Sequence, residues 1–237
     1  MNLLQIRTKL IQISGRYDLV KNDQDWVDNG ANFYINSGFG MLDRKMNTKK
    51  SVGKYFEEVA SSAWYITMPN CRSIKNVWIN NTTGRSELDK KDLIWLRNEY
   101  PSLISTTDTG TPLYYAPTYL RSVGDDDKDS LGEFFSLVMD DSENYSGLIF
   151  LPPPDESLVV EVWGTFMTPE LSADADENYW SIEHPMLSLF AALYYLEVSY
   201  RNTEGANDWN NAMTTYLTDL DKDTVEEEIH DADHMEG

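Results

Sequence analysis

The sequence predicts an α+β fold: a helical bundle formed by the two ends of the chain, with an antiparallel β domain, sandwich or barrel-like, inserted between them. Two patterns predict it. Near both termini apolar residues recur every three or four positions, the period of a helix with one buried face. Between about Ser51 and Met167 the chain instead breaks into short runs rich in aromatic and β-branched residues, separated by turn chemistry. The expected division is residues 1–50 and 168–237 as a discontinuous helical domain ending in an acidic arm, and residues 51–167 as the inserted β domain.

The first helix rests on Leu3, Ile6, Leu10 and Ile13, with Asn2 as cap and Gly15 as terminator. Its apolar stripe needs a partner. Ala31, Tyr34, Ile35, Gly38, Leu42 and Met46 supply one at helical spacing, with Asp28 as cap. Gly30, Gly38 and Gly40 each lower helix propensity by about 1 kcal/mol relative to alanine, so this helix depends on packing, and glycines on a helix face admit another backbone closely. Strands follow in KSVGKYFEEVA, SAWYITM and RSIKNVWIN, with NNTTGR as a turn, and a short helix at KKDLIWLRNEY places Leu93, Leu96 and Tyr100 on one face. Tyr114, Tyr115 and the stretch around Tyr119 continue the strand pattern up to the acidic loop GDDDKD. YSGLIFLPPPD and SLVVEVWGTFM are two apolar runs joined by prolines, either a hairpin or a corner. Helix returns near Ser181, with Pro185 in the first turn and a stripe of Leu189, Leu193, Leu196 and Tyr200 that reads as the central helix of the fold. After a break at NTEGAND, Trp209, Met213, Tyr216, Leu217 and Leu220 mark a last amphipathic helix. Beyond Asp219 the chain is almost all acid, a solvated helix end or an arm that orders against a partner.

Charge is unevenly placed. The net charge is −21, yet residues 1–100 hold 15 Lys and Arg against 11 Asp and Glu, and residues 101–237 hold 4 against 29. Such a surface repels phosphates, which disfavours gripping DNA or an anionic membrane and suits a channel that DNA slides through. No apolar run approaches the ~18 residues of a membrane span, and the start lacks a secretory signal, so a soluble protein made in the cytoplasm is expected. Cys71 is the only cysteine, which leaves no internal disulfide and no thiolate cluster for a metal.

Catalytic motifs are missing from the sequence: there is no GxSxG elbow, no phosphate loop, no GxGxxG and no HExxH. No catalytic residue, cofactor or metal ligand is therefore assigned. Of the three histidines, His184 beside Pro185 reads as a capping or packing residue. His230 and His234, spaced i, i+4, are the best metal pair and lie in an acidic tail without a rigid frame. The alternating Asp125, Asp127, Asp129 and Asp174, Asp176, Asn178 suggest calcium, but Ser130 and Ser136 in the first run, and Tyr179 and Pro185 in the second, stand where an EF-hand needs glycine and glutamate. Both runs read as exposed loops. The seven tryptophans and fourteen tyrosines fit β-domain cores and subunit interfaces better than stacking platforms.

The opening MNLLQIRTKLIQISGRYDLV, the helix with INSGFGMLDRKM and the stretch ENYWSIEHPMLSLFAALYYLEVSYRNTEGANDWNNAMTTYLTDLDKD resemble the head-to-tail adaptor (connector) proteins of tailed bacteriophages. The resemblance covers the two ends of the chain. The β insert is similar in placement to that of tail tubular protein A relatives, whereas smaller adaptors are wholly helical. The resemblance implies a structural virion protein, not an enzyme, that forms a homo-oligomeric ring, typically a dodecamer, in the neck of the particle and assembles in the host cytoplasm. Its implied partners are further copies of itself, the portal protein above, a tail or nozzle protein below, and genomic DNA passing through the lumen without specific binding; no membrane is involved. The acidic arm is then the candidate interface with portal or neighbour, through Asp219, Asp221, Asp223, Glu226, Glu227 and Glu228. Two other functions compete. One is a carbohydrate- or calcium-binding β module on a helical scaffold; the other is a carboxylate-based hydrolase with two close acids in a concave pocket.

Overall fold

In a computed structural model the chain divides into two compact units, Met1–Ser51 with Met167–Gly237, and Val52–Phe166. The structure describes residues 1–22, 24–45, 52–68, 70–82, 84–101, 108–118 and 147–233, with the backbone alone at 118, 221 and 223–233. Six α-helices and two sheets, both largely antiparallel, make up the described residues, an α+β fold.

In the helical unit, α1 (Leu3–Ser14) starts with a capping box. The Asn2 side chain accepts from the Gln5 amide, and the Gln5 side chain accepts from the Asn2 amide. The amides of Leu3 and Leu4 donate to the Asp176 and Asp174 carbonyls, so the orphan donors of the first turn are satisfied by a loop distant in sequence. Gly15 ends the helix in the left-handed region at φ 69°. Leu3, Ile6 and Leu10 are fully buried, as their spacing predicts. Ile13 is exposed and Ile11 buried in its stead, because position 13 falls outside the buried sector in the final turn. After a short 3-10 turn (Tyr17–Leu19), Asp28 accepts from the Asn32 amide and caps α2 (Ala31–Lys45). Met46, expected on its stripe, lies outside the described residues.

The C-terminal side holds α4 (Tyr179–Glu183), α5 (Pro185–Ser199) and α6 (Thr203–Asp233). The single helix expected from Ser181 is two, divided at His184, because Pro185 has no N–H to continue the ladder and restarts it as the first residue of α5. α5 is the central element, packed by α1, α2, α4 and α6. Leu189, Leu193 and Leu196 are buried in one core with Ile6, Leu10, Ile35, Phe39 and Leu42. Tyr200, predicted on the same stripe, lies outside that core, with the Arg16 guanidinium carbon 3.6 Å from its ring centroid. The break before α6 is shorter than NTEGAND: α6 already begins at Thr203, with Asn202 accepting from the Gly205 amide and Arg201 making the turn at φ 59°. No described helix is long and apolar enough to cross a membrane.

The described residues of the β unit form two sheets. One runs β1 (Val52–Val59), β8 (Leu158–Phe166), β3 (Cys71–Asn81), β4 (Gly84–Glu87), all antiparallel. The other runs β2 (Tyr65–Thr67), β7 (Gly147–Leu151), β6 (Tyr114–Thr118), β5 (Asp89–Lys90), with β5 and β6 parallel. Val77, Ile79, Val160 and Val162 of the first sheet share one core with Ile66, Tyr115, Leu148 and Phe150 of the second. The proline-rich connection after β7 is a corner rather than a hairpin, since β7 and β8 belong to different sheets. NNTTGR is the β3–β4 turn: the Asn81 side chain accepts from the Gly84 amide, and Gly84 adopts φ 141°. α3 (Leu93–Glu99), capped by Asp92, buries Leu93 and Leu96 in a separate cluster with Ala116, Ile149 and Leu151. Tyr119, Asp125, Asp127 and Asp129 lie outside the described residues.

Candidate functional site

The residues predicted to form an interface fall on α6. Its first half is fixed to the rest of the helical unit. Trp209 stacks on Phe190 at 5.7 Å between centroids, Met213 is fully buried, and Tyr216, Leu217 and Leu220 pack against the same core. At the α4–α5 junction the His184 ring lies edge-on to Tyr179 and Tyr216, with both tyrosine hydroxyls within hydrogen-bond distance of its nitrogens, at 3.2 and 3.3 Å. His184 is thus a packing residue that ties the middle of α6 to the start of α5. Asp219 is exposed and pairs with Lys222 at 2.9 Å, one turn away in solvent, where such a pair contributes at most about 1 kcal/mol. Asp221, Asp223, Glu226, Glu227 and Glu228 continue the same helical backbone, and their side chains lie outside the described residues. So do the imidazoles of His230 and His234.

The second acidic run has structural work to do. Asp176 accepts from the amides of Ser172 and Ala173 and from the Ser172 hydroxyl, and these donors, the backbone ones first, hold its carboxyl below the usual value of 3.8. Asp174 receives Arg7 at 2.8 Å, and Asn178 caps α4. Their oxygens are spent on backbone amides and a guanidinium instead of converging. Among the described residues no group of three or more His, Cys, Asp and Glu is placed to hold a metal ion.

Among the described residues, three charged side chains are buried. Arg7 is 1% exposed and donates to the Asn32 side chain, the Trp26 carbonyl and Asp174. Asp43, 2% exposed, accepts from the Thr168 amide at 2.6 Å, the Thr168 hydroxyl at 2.8 Å and the Trp180 indole at 2.7 Å. Glu161, 5% exposed, accepts from the Trp163 indole at 2.5 Å and from Arg85 at 2.9 Å. A buried charge left without such partners would cost several kcal/mol, so each marks a fixed point of its unit.

No family model matches the chain, and no curated protein does.

None of these three positions is flagged by a motif, although the periodicities hold a trace of two of them. Arg7 falls between Leu3 and Leu10 on the helical stripe, where a charge is out of place. Glu161 alternates with Val160 and Val162, which puts it on the opposite face of β8 from the shared core. Asp43 carries no such signal, because the residues it binds, Thr168 and Trp180, come from the far end of the chain.

Proposed function

We propose that this chain is the head-to-tail adaptor subunit of a tailed bacteriophage, a structural virion protein of the neck that forms a ring of about twelve copies. In this reading the helical unit is the adaptor bundle and the β unit a sandwich carried on it. The ring lies between portal and tail or nozzle protein and continues the DNA channel without gripping DNA; the chain performs no catalysis. The observation that carries the proposal is α6. It runs for 31 residues, about 46 Å, whereas α5 has 15, about 22 Å. Among the residues whose side chains are described, Leu220 is the last that packs on the helical core. About thirteen residues, roughly 20 Å of helix, follow them with an acidic sequence. A helix of that composition gains little by folding against its own chain and suits a partner's surface. The uneven charge supports the same reading, since a ring joins two different faces of neighbouring subunits.

The test is the mass of the purified protein by light scattering with particle imaging, alone and mixed with a candidate portal protein. Rings of about a dozen subunits in either sample are the expected result. A protein that stays monomeric alone and also ignores the portal would overturn the proposal. Truncation after Leu220 separates the arm from the rest: the shortened chain is expected to fold and to lose attachment, and normal assembly by it would remove the arm from the interface.

A further inference from the structure

On the outward side of the sheet β1–β8–β3–β4, the strand register sets three aromatic rings around one buried carboxylate. Phe56 on β1 and Trp78 on β3 are both paired with Glu161 on β8, one from each side. They therefore stand about 10 Å apart, two inter-strand spacings, with Glu161 between them. In the next row Trp163 is flanked by Lys54 and Asn76. Phe56 is 56% exposed although it sits in mid-strand. The platform is held rigid from within. Glu161 fixes the Trp163 indole through its N–H and fixes Arg85, whose guanidinium lies 4.5 Å from the centre of the Trp78 ring. Lys54 sits 3.9 Å from the centre of the Trp163 ring. Asn76 donates to Glu87 at the rim.

We infer that this face binds a neutral, hydroxyl-rich oligosaccharide laid across β1, β8 and β3. The C–H face of a pyranose ring is complementary to the electron-rich face of an aromatic ring, which Phe56 exposes; Arg85 lies over one face of Trp78, and the span from Phe56 to Trp78, about 10 Å, accommodates roughly two such rings. Planar polar groups beside the rings, the Arg85 guanidinium and the Asn76 amide, match vicinal hydroxyls. Charge selects the neutral class. Locally Arg85 offsets Glu161, and Lys54 and Arg85 together face Glu58, Glu87 and Glu161, so the face offers no net positive charge, while the molecule at −21 repels polyanions. The site stands within one unit and needs no ring.

Affinity electrophoresis of the full chain in native gels containing soluble xylan, galactomannan, mixed-linkage β-glucan or dextran tests the inference. Retardation by at least one is expected, with Phe56→Ala or Trp78→Ala weakening it about tenfold; thermal unfolding of the Phe56 variant, whose ring is 56% exposed, stays close to that of the parent. Glu161→Gln, which keeps the shape and loosens the hold on Arg85 and Trp163, should weaken it less. Absence of retardation in all four gels would overturn the inference. So would retardation that the Phe56 and Trp78 substitutions leave unchanged, or a face that captures only protein. Particle mass measured on the same variants keeps this result separate from ring assembly: a variant that loses the polysaccharide and still assembles bears on the sheet face alone.

Discussion

A Cβ built on Gly38 of α2 would stand 3.0 Å from the backbone nitrogen of Ala192 in α5. The two helices approach through a glycine, where any side chain would press on the α5 backbone and make it give way, and the pair Gly38 and Gly40 separates this requirement from helix propensity. Gly38→Ala is expected to destabilise the protein by about 1–2 kcal/mol, the cost of overpacking exceeding a propensity gain of about 1 kcal/mol. Gly40→Ala meets only the Met167 Cε, at 3.7 Å, and is expected to stabilise by about 0.5–1 kcal/mol. Urea unfolding midpoints at unchanged slope would show the opposite signs.

Removing the Asp43 carboxylate strands three donors. Asp43→Ala leaves the Trp180 indole, the Thr168 amide and the Thr168 hydroxyl without their shared acceptor, and a loss of about 3 kcal/mol or more is expected. Asp43→Asn keeps one acceptor oxygen and should lose less. Near-ultraviolet circular dichroism, which senses Trp180, is expected to change together with stability.

How far this arrangement could be read from sequence depends on the range of the interactions. The capping box at Asn2, the left-handed Gly15, the Asp28 cap and the turn at Asn81–Gly84 all act within a few residues, and the spacing of residue types reveals them. Burial along a stripe is legible except at its ends: Ile13 and Tyr200, at the last turns of their helices, are exposed, and Tyr200 carries the Arg16 guanidinium instead of core residues. The division at His184 and the early start of α6 are not legible in sequence for a different reason. Pro185 both begins a helix and ends the preceding one, and the polar residues of NTEGAND serve as well inside a first turn as in a loop. The sequence leaves the connection after β7 open between hairpin and corner because sheet membership is a tertiary property. Of the predicted interface residues, Asp219 is placed, exposed and paired with Lys222. The outward aromatic face is a property of the register, which sets Phe56, Glu161 and Trp78 in one row.

Acid should weaken the helical unit through Asp176. Its folded pKa is depressed, so its contribution is fully present above the usual value of 3.8 and is lost as pH falls through the lower, folded value. Asp176→Asn removes that dependence. Stability measured between neutral pH and pH 3 is expected to fall less steeply in the variant than in the parent, and identical acid limbs would exclude the mechanism.

Cys71, at the start of β3, should be inert in the native state. Burial pushes its thiol up to about 11, which leaves on the order of one thiolate in a thousand at pH 8. Labelling by a disulfide reagent is expected to be about a hundredfold slower in native than in denatured protein. Rapid native labelling would mean that the strand end opens.

The pairing of β1 with β8, Val52 opposite Thr165, bears on the order in which the molecule forms. During synthesis α1 and α2 emerge first, and their apolar faces, with Ile6, Leu10, Ile35 and Phe39, must wait for α5 until the whole insert has been made. In an unfolded chain, bringing those two halves together closes a loop of about 115 residues, an entropic cost of about 4 kcal/mol. Once the first and last strands of the insert lie side by side, that loop is already closed, and α2 and α4 meet as if joined by a short connection. The β unit thus acts as a non-covalent staple for the helices. Mutations that slow its folding are expected to prolong the exposure of the N-terminal helices, so aggregation during expression should track the stability of a unit that contains none of the residues left exposed.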